Sequence, residues 1–267
     1  MIKTLFSTDG IITRISDTAV GDRMADIITP ERGRISVCVK GGKSPLSKLG
    51  VISQLFTYGN YEIYEKNSLY WMRGGSIICP FYEISNEIER LALGTYLCEV
   101  ANDLTGENEE SREILRLLLN TLYLVGKGEK SRIQLKAVFE IRAMCISGYC
   151  PELSGCIYCK KNRCEFMYLD ILRGRLICSD CLSKRENKTI SISDEFEYTE
   201  QKNLLFGMTP AVFAAFCHVV YSQPGKIFAF EIKDKTELED FGKIAETYLL
   251  EHLGHGFKSL DFYRSVK

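Results

Sequence analysis

A chain of 267 residues with 45% apolar and 26% charged side chains has an ordinary globular composition, long enough for one large domain or two to three small ones, and it carries no internal repeat or low-complexity tract. The net charge of −1 excludes a surface coated uniformly with positive charge, so a polyanion would have to be met by a local face. Met1-Ile2-Lys3-Thr4-Leu5-Phe6 meets Ser7-Thr8-Asp9-Gly10 before an apolar run develops, and no stretch of ~18 apolar residues follows, so the expectation is a soluble, cytoplasmic protein with no signal, anchor or membrane partner and with reduced cysteines.

From residue 1 to about 80 short strand-like runs alternate with turn residues: Ile11-Ile15, Met24-Thr29, Arg34-Lys40, Val51-Tyr58, Tyr61-Glu65 and Leu69-Met72, with a hairpin turn expected at Gly59-Asn60. Such a segment predicts a small β-barrel, an OB-fold or its competitor, an SH3-like barrel. Ile35, Val37 and Val39 alternate with Arg34, Ser36, Cys38 and Lys40, which directs Arg34 and Lys40 to one outer face. Between Pro30 and Gly50 there are five basic residues, Arg32, Arg34, Lys40, Lys43 and Lys48, against Glu31 alone, whereas Glu83 to Glu113 holds nine acidic residues against Arg90 and Arg112. The asymmetry separates a candidate polyanion-binding face, with Arg34, Lys40, Lys43 and Lys48 as its contacts, from an acidic one; two ordinary solvated faces are the alternative. Of Phe56, Tyr58, Tyr61, Tyr64, Tyr70 and Trp71, an exposed subset would stack bases and the rest would pack the core.

At Ser85, read as an N-cap, the period becomes helical, with Ile88, Leu91, Ala92 and Cys98 on one face. Ser111 to Leu124 is apolar on nearly all sides and predicts a buried helix of a bundle. Ser131 with Gln134 resembles a capping box for a helix running to about Ile146, stopped by Gly148 and Pro151. Beyond a polar stretch from Lys184 to Gln201, Thr209-Pro210 opens a helix to about Tyr221, and Thr236 with Glu239 opens one ended by Gly254.

Between these helices, Cys156, Cys159, Cys178 and Cys181 form two C-x2-C pairs separated by 18 residues, a spacing that closes four thiolates on one tetrahedral ion. One structural zinc ion is expected, with iron in a rubredoxin-like site, or buried or disulfide-bonded cysteines without metal, as the alternatives. The spacer reads as a hairpin, Glu165 to Asp170 running out, Arg173-Gly174-Arg175 turning and Leu176-Ile177 returning. Cys164 is a fifth thiol, preferred as a bystander because it has no partner two residues away. Lys160, Lys161 and Arg163 either neutralise the cluster or form a solvated loop, and Arg173 and Arg175 at the hairpin tip offer a weaker contact for a polyanion. The three histidines, His218, His252 and His255, form no metalloenzyme pattern, and no phosphate loop or nucleophile elbow is present, so a non-enzymatic protein is expected.

The run Phe139-Glu140-Ile141-Arg142, Gly148-Tyr149-Cys150-Pro151-Glu152-Leu153 and Cys156-Ile157-Tyr158-Cys159 resembles the F-E-x-R, G-Y-x-P-x-L and C-x-x-C succession of the bacterial RecO family of recombination mediators. Gly10-Ile11-Ile12, Gly21-Asp22-Arg23, Lys40-Gly41 and the ending His252-Leu253-Gly254 to Lys258-Ser259-Leu260 add to the likeness over almost the full length. The resemblance implies an α+β multidomain fold: an OB-fold barrel over 1–80, a helical domain over 81–150, an inserted four-cysteine zinc knuckle over 151–188 and completion of the helical domain over 189–267. It also implies a cytoplasmic, nucleoid-associated function in DNA repair and homologous recombination. A mediator of this kind binds single- and double-stranded DNA, anneals complementary strands and, with RecR, helps RecA displace the single-stranded-DNA-binding protein SSB, whose acidic C-terminal tail the helical domain receives. Leu46 stands where the family is usually basic, which implies weaker DNA affinity through this loop. A zinc-ribbon interaction or transcription-associated module without DNA binding is the runner-up.

Overall fold

The computed structural model describes residues 4–18, 21–44, 46–162, 166–186 and 204–267. The chain packs into two compact units, one formed by 1–132 with 257–267 and the other by 133–256.

The first unit begins with a closed five-stranded barrel in the order β1-β2-β3-β5-β4, made of β1 (Thr4–Asp17), β2 (Arg23–Thr29), β3 (Gly33–Val39), β4 (Tyr58–Lys66) and β5 (Leu69–Cys79). This OB-like closure leaves a core of Ile12, Ala25, Ile27, Ile35, Val37, Val39, Tyr61, Ile63 and Met72, the inward half of each alternation. The long β1 serves two neighbours, pairing with β4 from Thr4 to Ile11 and with β2 from Ile11 to Asp17, with an irregularity in the latter pairing between Ile12 and Arg14. β3 and β5 seal the barrel by a short parallel pairing, Val37 with Tyr70 and Cys38 with Trp71.

Two strand expectations are corrected here. Val51-Tyr58 is not a strand: Ser47 accepts from Gly50 N–H and opens a short helix, α1 (Lys48–Ile52), and Phe56, at φ 65, turns the chain before β4. Gly59-Asn60 is no turn either; it lies inside β4, where Ser76 O would stand 2.5 Å from a Cβ at position 59, so only glycine fits that cross-strand approach. The turn falls at Asn67-Ser68, both left-handed (φ 53 and 61).

A 3-10 turn (Tyr82–Asn86) leads to α2 (Ile88–Asp103), followed by α3 (Arg112–Lys127), and α8 (Lys258–Val266) returns from the C-terminus to pack on α2. Glu87, not Ser85, is the N-cap of α2. The buried helix is also not the one the sequence points to. Ala92, Leu93, Tyr96, Leu97, Val100 and Ala101 bury α2 between the barrel and α3 and α8, whereas α3 is amphipathic, exposing Arg116, Asn120 and Tyr123. Polar ties fasten α2: Thr13 Oγ1 donates to Asn102 Oδ1 (2.7 Å), and the Glu99 carboxylate accepts both the backbone N–H (3.2 Å) and the hydroxyl of Ser259 at the start of α8.

The second unit holds α4 (Arg132–Ile146) from its second residue on, a four-stranded sheet in the order β6-β8-β7-β9 and, among the described residues, three further helices. The strands are β6 (Glu152–Cys156), β7 (Met167–Asp170), β8 (Arg175–Cys178) and β9 (Leu205–Met208); the helices are α5 (Ser179–Glu186), α6 (Pro210–Tyr221) and α7 (Lys235–Leu253). The expected hairpin is present as β7 and β8 with Gly174 at φ 60, and β9 adds a strand the sequence reading missed. Thr209 caps α6 as expected, accepting from Val212 N–H (3.3 Å), but α7 opens at Asp234, which accepts from Glu237 N–H (3.0 Å), rather than at Thr236. Gln134 does not close a capping box. Its buried amide instead clamps an extended segment, donating to Phe230 O (2.7 Å) and accepting from Ile232 N–H (3.1 Å).

Phe139-Glu140-Ile141-Arg142 is a structural run. Phe139 is buried, Glu140 binds Lys136 Nζ (2.7 Å), which also meets Glu246 of α7 (2.7 Å), and Arg142 donates to Val220 O (3.0 Å) at the end of α6. The glycine stop is a Schellman cap, in which Gly148 at φ 91 lets Tyr149 N–H reach Met144 O (2.8 Å) and Gly148 N–H reach Cys145 O (3.3 Å).

Candidate metal centre and basic loop

Both C-x2-C pairs sit where a strand ends. Cys156 closes β6, and the backbone then turns tightly: Lys160 N–H donates to Cys156 O (2.8 Å), Cys156 N–H to Lys161 O (2.8 Å), and Lys160 takes φ 63. Gly155 lies so close to this turn that a Cβ there would stand 2.7 Å from Lys160 O. Cys178 closes β8 and Cys181 lies in the first turn of α5, while Ile157 N–H donates to Leu176 O (2.8 Å) and fixes one pair beside the other.

The four Sγ atoms lie within 4.8 Å of one another, and those of Cys159 and Cys178 are 3.6 Å apart. A tetrahedron with metal–sulfur bonds of about 2.3 Å has edges of about 3.8 Å, whereas a disulfide would need about 2.05 Å, so the cluster has metal-site and not disulfide dimensions. The cluster could hold a metal ion, and four like donors leave no open position for substrate. Cys156 and Cys178 are buried and Cys159 faces solvent. Burial pushes the Cys178 thiol up; it acts on Cys156 too, but backbone N–H donors of Cys159 and Cys178 bring that thiol below its ordinary value.

Of the surrounding cations, Lys161 pairs with Asp180 (3.1 Å) and Arg173 with Asp170 (3.1 Å), and Arg175 is exposed. Cys164, Arg163 and Glu165 lie outside the described residues, as do Pro45 and most of the polar stretch between Lys184 and Gln201.

The structure gathers three of the four candidate phosphate contacts and separates the fourth. Lys40 and Lys43, in the connection between β3 and α1, and Lys48, the first residue of α1, are exposed, the connection being pinned by Gly41 N–H to Asp22 Oδ1 (2.8 Å), with Leu46 94% exposed among them. Arg34 lies at the other end of β3, about 20 Å of strand away, and its guanidinium donates to Asn102 O (3.1 Å) at the C-terminus of α2.

The aromatics divide sharply. Phe56 and Tyr61 are buried, Tyr70 packs edge-on against Phe6, and Tyr64 and Trp71 stack in parallel on the outer face (centroids 6.5 Å, 16°). The last two are cross-strand partners three residues either side of the Asn67-Ser68 turn, a pairing the sequence would have revealed had that turn been placed correctly. Arg32, omitted from the candidate contacts, lies 4.1 Å over the Phe6 ring.

Two family profiles match the chain: Recombination protein O N terminal over residues 1–81 and Recombination protein O C terminal over 85–195. The chain is similar to the DNA repair protein RecO of Acetivibrio thermocellus, 29% identical over 259 residues, covering 97% of this chain and 96% of that protein. It is likewise similar to those of Clostridium kluyveri (30% over 189 residues, 71% of this chain and 73% of that one) and Clostridium acetobutylicum (25% over 263 residues, 98% of each). With an OB-like barrel, a helical remainder and a four-cysteine cluster joined in the order that resemblance implied, the chain belongs to the RecO family.

Proposed function

We propose that the protein is a non-catalytic mediator of DNA repair and homologous recombination that binds single- and double-stranded DNA through the barrel and anneals complementary strands. The observation that carries this reading is the exposure of Lys40, Lys43 and Lys48, along the connection from β3 and at the start of α1, in a RecO-family chain. Lysine ammonium groups contact phosphates as point charges without reading sequence, so binding is non-specific and weakens with salt. Tyr64 and Trp71 supply a stacking surface beside them for bases. Arg34, engaged with α2, serves the fold first and contributes to DNA only through its remaining donors.

The metal centre in this reading takes one structural Zn²⁺ through Cys156, Cys159, Cys178 and Cys181. Zinc supplies a closed four-thiolate cross-link that ties β6, β8 and α5 together, and Lys160 and Lys161 offset its negative charge. With RecR, the protein would help RecA displace SSB, whose acidic tail the helical part of the chain receives. That role locates the protein in the cytoplasm, at the nucleoid during repair. Among the described residues no helix is long and apolar enough to cross a membrane.

The test is fluorescence-anisotropy binding to labelled single-stranded DNA across a salt series, with metal content measured on the same sample. Log affinity should fall linearly with log salt, and a Lys40→Ala, Lys43→Ala, Lys48→Ala variant should lose about 2 from that slope. An unchanged slope in a folded, metal-loaded variant rejects the loop. Absence of binding even at low salt would instead favour an interaction module that meets protein rather than DNA.

A further inference from the structure

The four sulfurs of the metal centre are not equally protected by the fold. Cys156 and Cys178 are buried and Cys181 is half-buried, whereas Cys159 is exposed, within a run from Tyr158 to Asn162 that faces solvent throughout. The turn carrying it is anchored at its base, where Lys160 N–H donates to Cys156 O (2.8 Å). A thiol that ligates zinc is deprotonated outright, so among four thiolates exposure decides which one an oxidant meets first. The Cys159 sulfur also lies 3.6 Å from that of Cys178, which belongs to the other C-x2-C pair and closes β8. Joining the two as a disulfide of about 2.05 Å needs an approach of only about 1.5 Å, within reach of a sulfur on an exposed turn.

We infer that Cys159 and Cys178 form an oxidation site for hydroperoxides, at which attack on the exposed Cys159 ends in a disulfide to Cys178 and opens the metal centre. The Cys159 thiolate attacks one oxygen of hydrogen peroxide, the O–O bond breaks, and the departing oxygen takes a proton from solvent and leaves as water, with Cys159 now a sulfenic acid. The Cys178 thiolate then attacks the Cys159 sulfur, forming the S–S bond and expelling hydroxide, which takes a second proton. Two thiolates are oxidised by two electrons, and one peroxide is reduced to two waters. Cys156 and Cys181 remain as two donors, too few to close a tetrahedral shell, so they release the ion and take up protons. The inference rests on the zinc reading of the four cysteines and on no part of the DNA reading.

The experiment exposes the zinc-loaded protein to hydrogen peroxide while a weak chromophoric chelator records metal release; remaining thiols are then alkylated under denaturing conditions and digested peptides are mapped by mass. The expected result is metal release in step with a Cys159 to Cys178 linked peptide lacking the two thiol hydrogens, with Cys156 and Cys181 alkylated, and recovery of metal binding on adding a reductant and zinc. A Cys159→His variant keeps four tetrahedral donors without the exposed sulfur and, once loaded, should hold its metal under the same exposure. Should that variant bind no metal, the wild-type peptide map decides alone. Wild-type protein that takes up no zinc rejects the zinc reading and this inference with it. With zinc bound, the inference alone is overturned if peroxide leaves the metal and all four thiols in place, if oxidation stops at Cys159 without the link, if the link joins a different pair, or if the loaded Cys159→His variant loses metal as fast as the wild type.

Discussion

Four sulfur atoms and one buried ammonium carry much of the second unit. Cys178→Ser should abolish metal binding, because three remaining thiolates lose the closed shell; atomic absorption on the purified variant checks this. The metal should also leave as pH falls, since binding displaces thiol protons and burial makes Cys178 hold its proton tightly, so acid favours the empty site. A chelator titration at several pH values should show release growing towards low pH. Lys136 lies between Glu140, which is fully buried, and the partly exposed Glu246, both at 2.7 Å. Lys136→Ala removes the cation common to both carboxylates and should cost about 3–5 kcal/mol by urea denaturation. Glu246→Gln, at the wetter end, should cost clearly less, and equal losses would refute this account of the triad. The cysteines were readable from spacing because their partners are close in sequence; the Lys136 to Glu246 link was not, because it joins helices about a hundred residues apart.

Helix ends were where sequence signals competed and structure chose. Asp234 and Thr236 are both plausible caps for α7, and the structure uses Asp234. Asp234→Ala should therefore lower stability by about 1 kcal/mol in a chemical melt, whereas Thr236→Ala should do almost nothing. Gly148, by contrast, was readable as a stop, since a left-handed residue followed by proline leaves the chain few alternatives. The exchange of roles between α2 and α3 has a different origin. The leucine-rich α3 covers one side with apolar residues and still faces solvent with Arg116 and Tyr123, while α2, with small residues such as Ala92, Gly94 and Ala101, permits close approach on several sides. Burial follows from which neighbours exist, and apolar count alone does not report them.

At the scale of the molecule, chemistry and grouping come from different sources. Removing the metal with a strong chelator should loosen the β6-β8-β7-β9 sheet while leaving the barrel's circular-dichroism signature largely intact, since the barrel core of Ile27, Val37, Tyr61 and Ile63 is closed on itself. The four-cysteine pattern, the barrel's alternating strands, the run of basic residues and the family likeness were set by the sequence alone, because each rests on spacing or period within a few tens of residues. Tertiary structure alone decided that Arg34 fastens α2 instead of joining the lysines, and that Tyr64 and Trp71 stack outside while Tyr61 fills the core. It also decided that the C-terminal helix returns to the barrel's unit. A residue's chemistry is local, but what it touches depends on how the chain closes in space, and single-sequence periodicity carries no term for that closure.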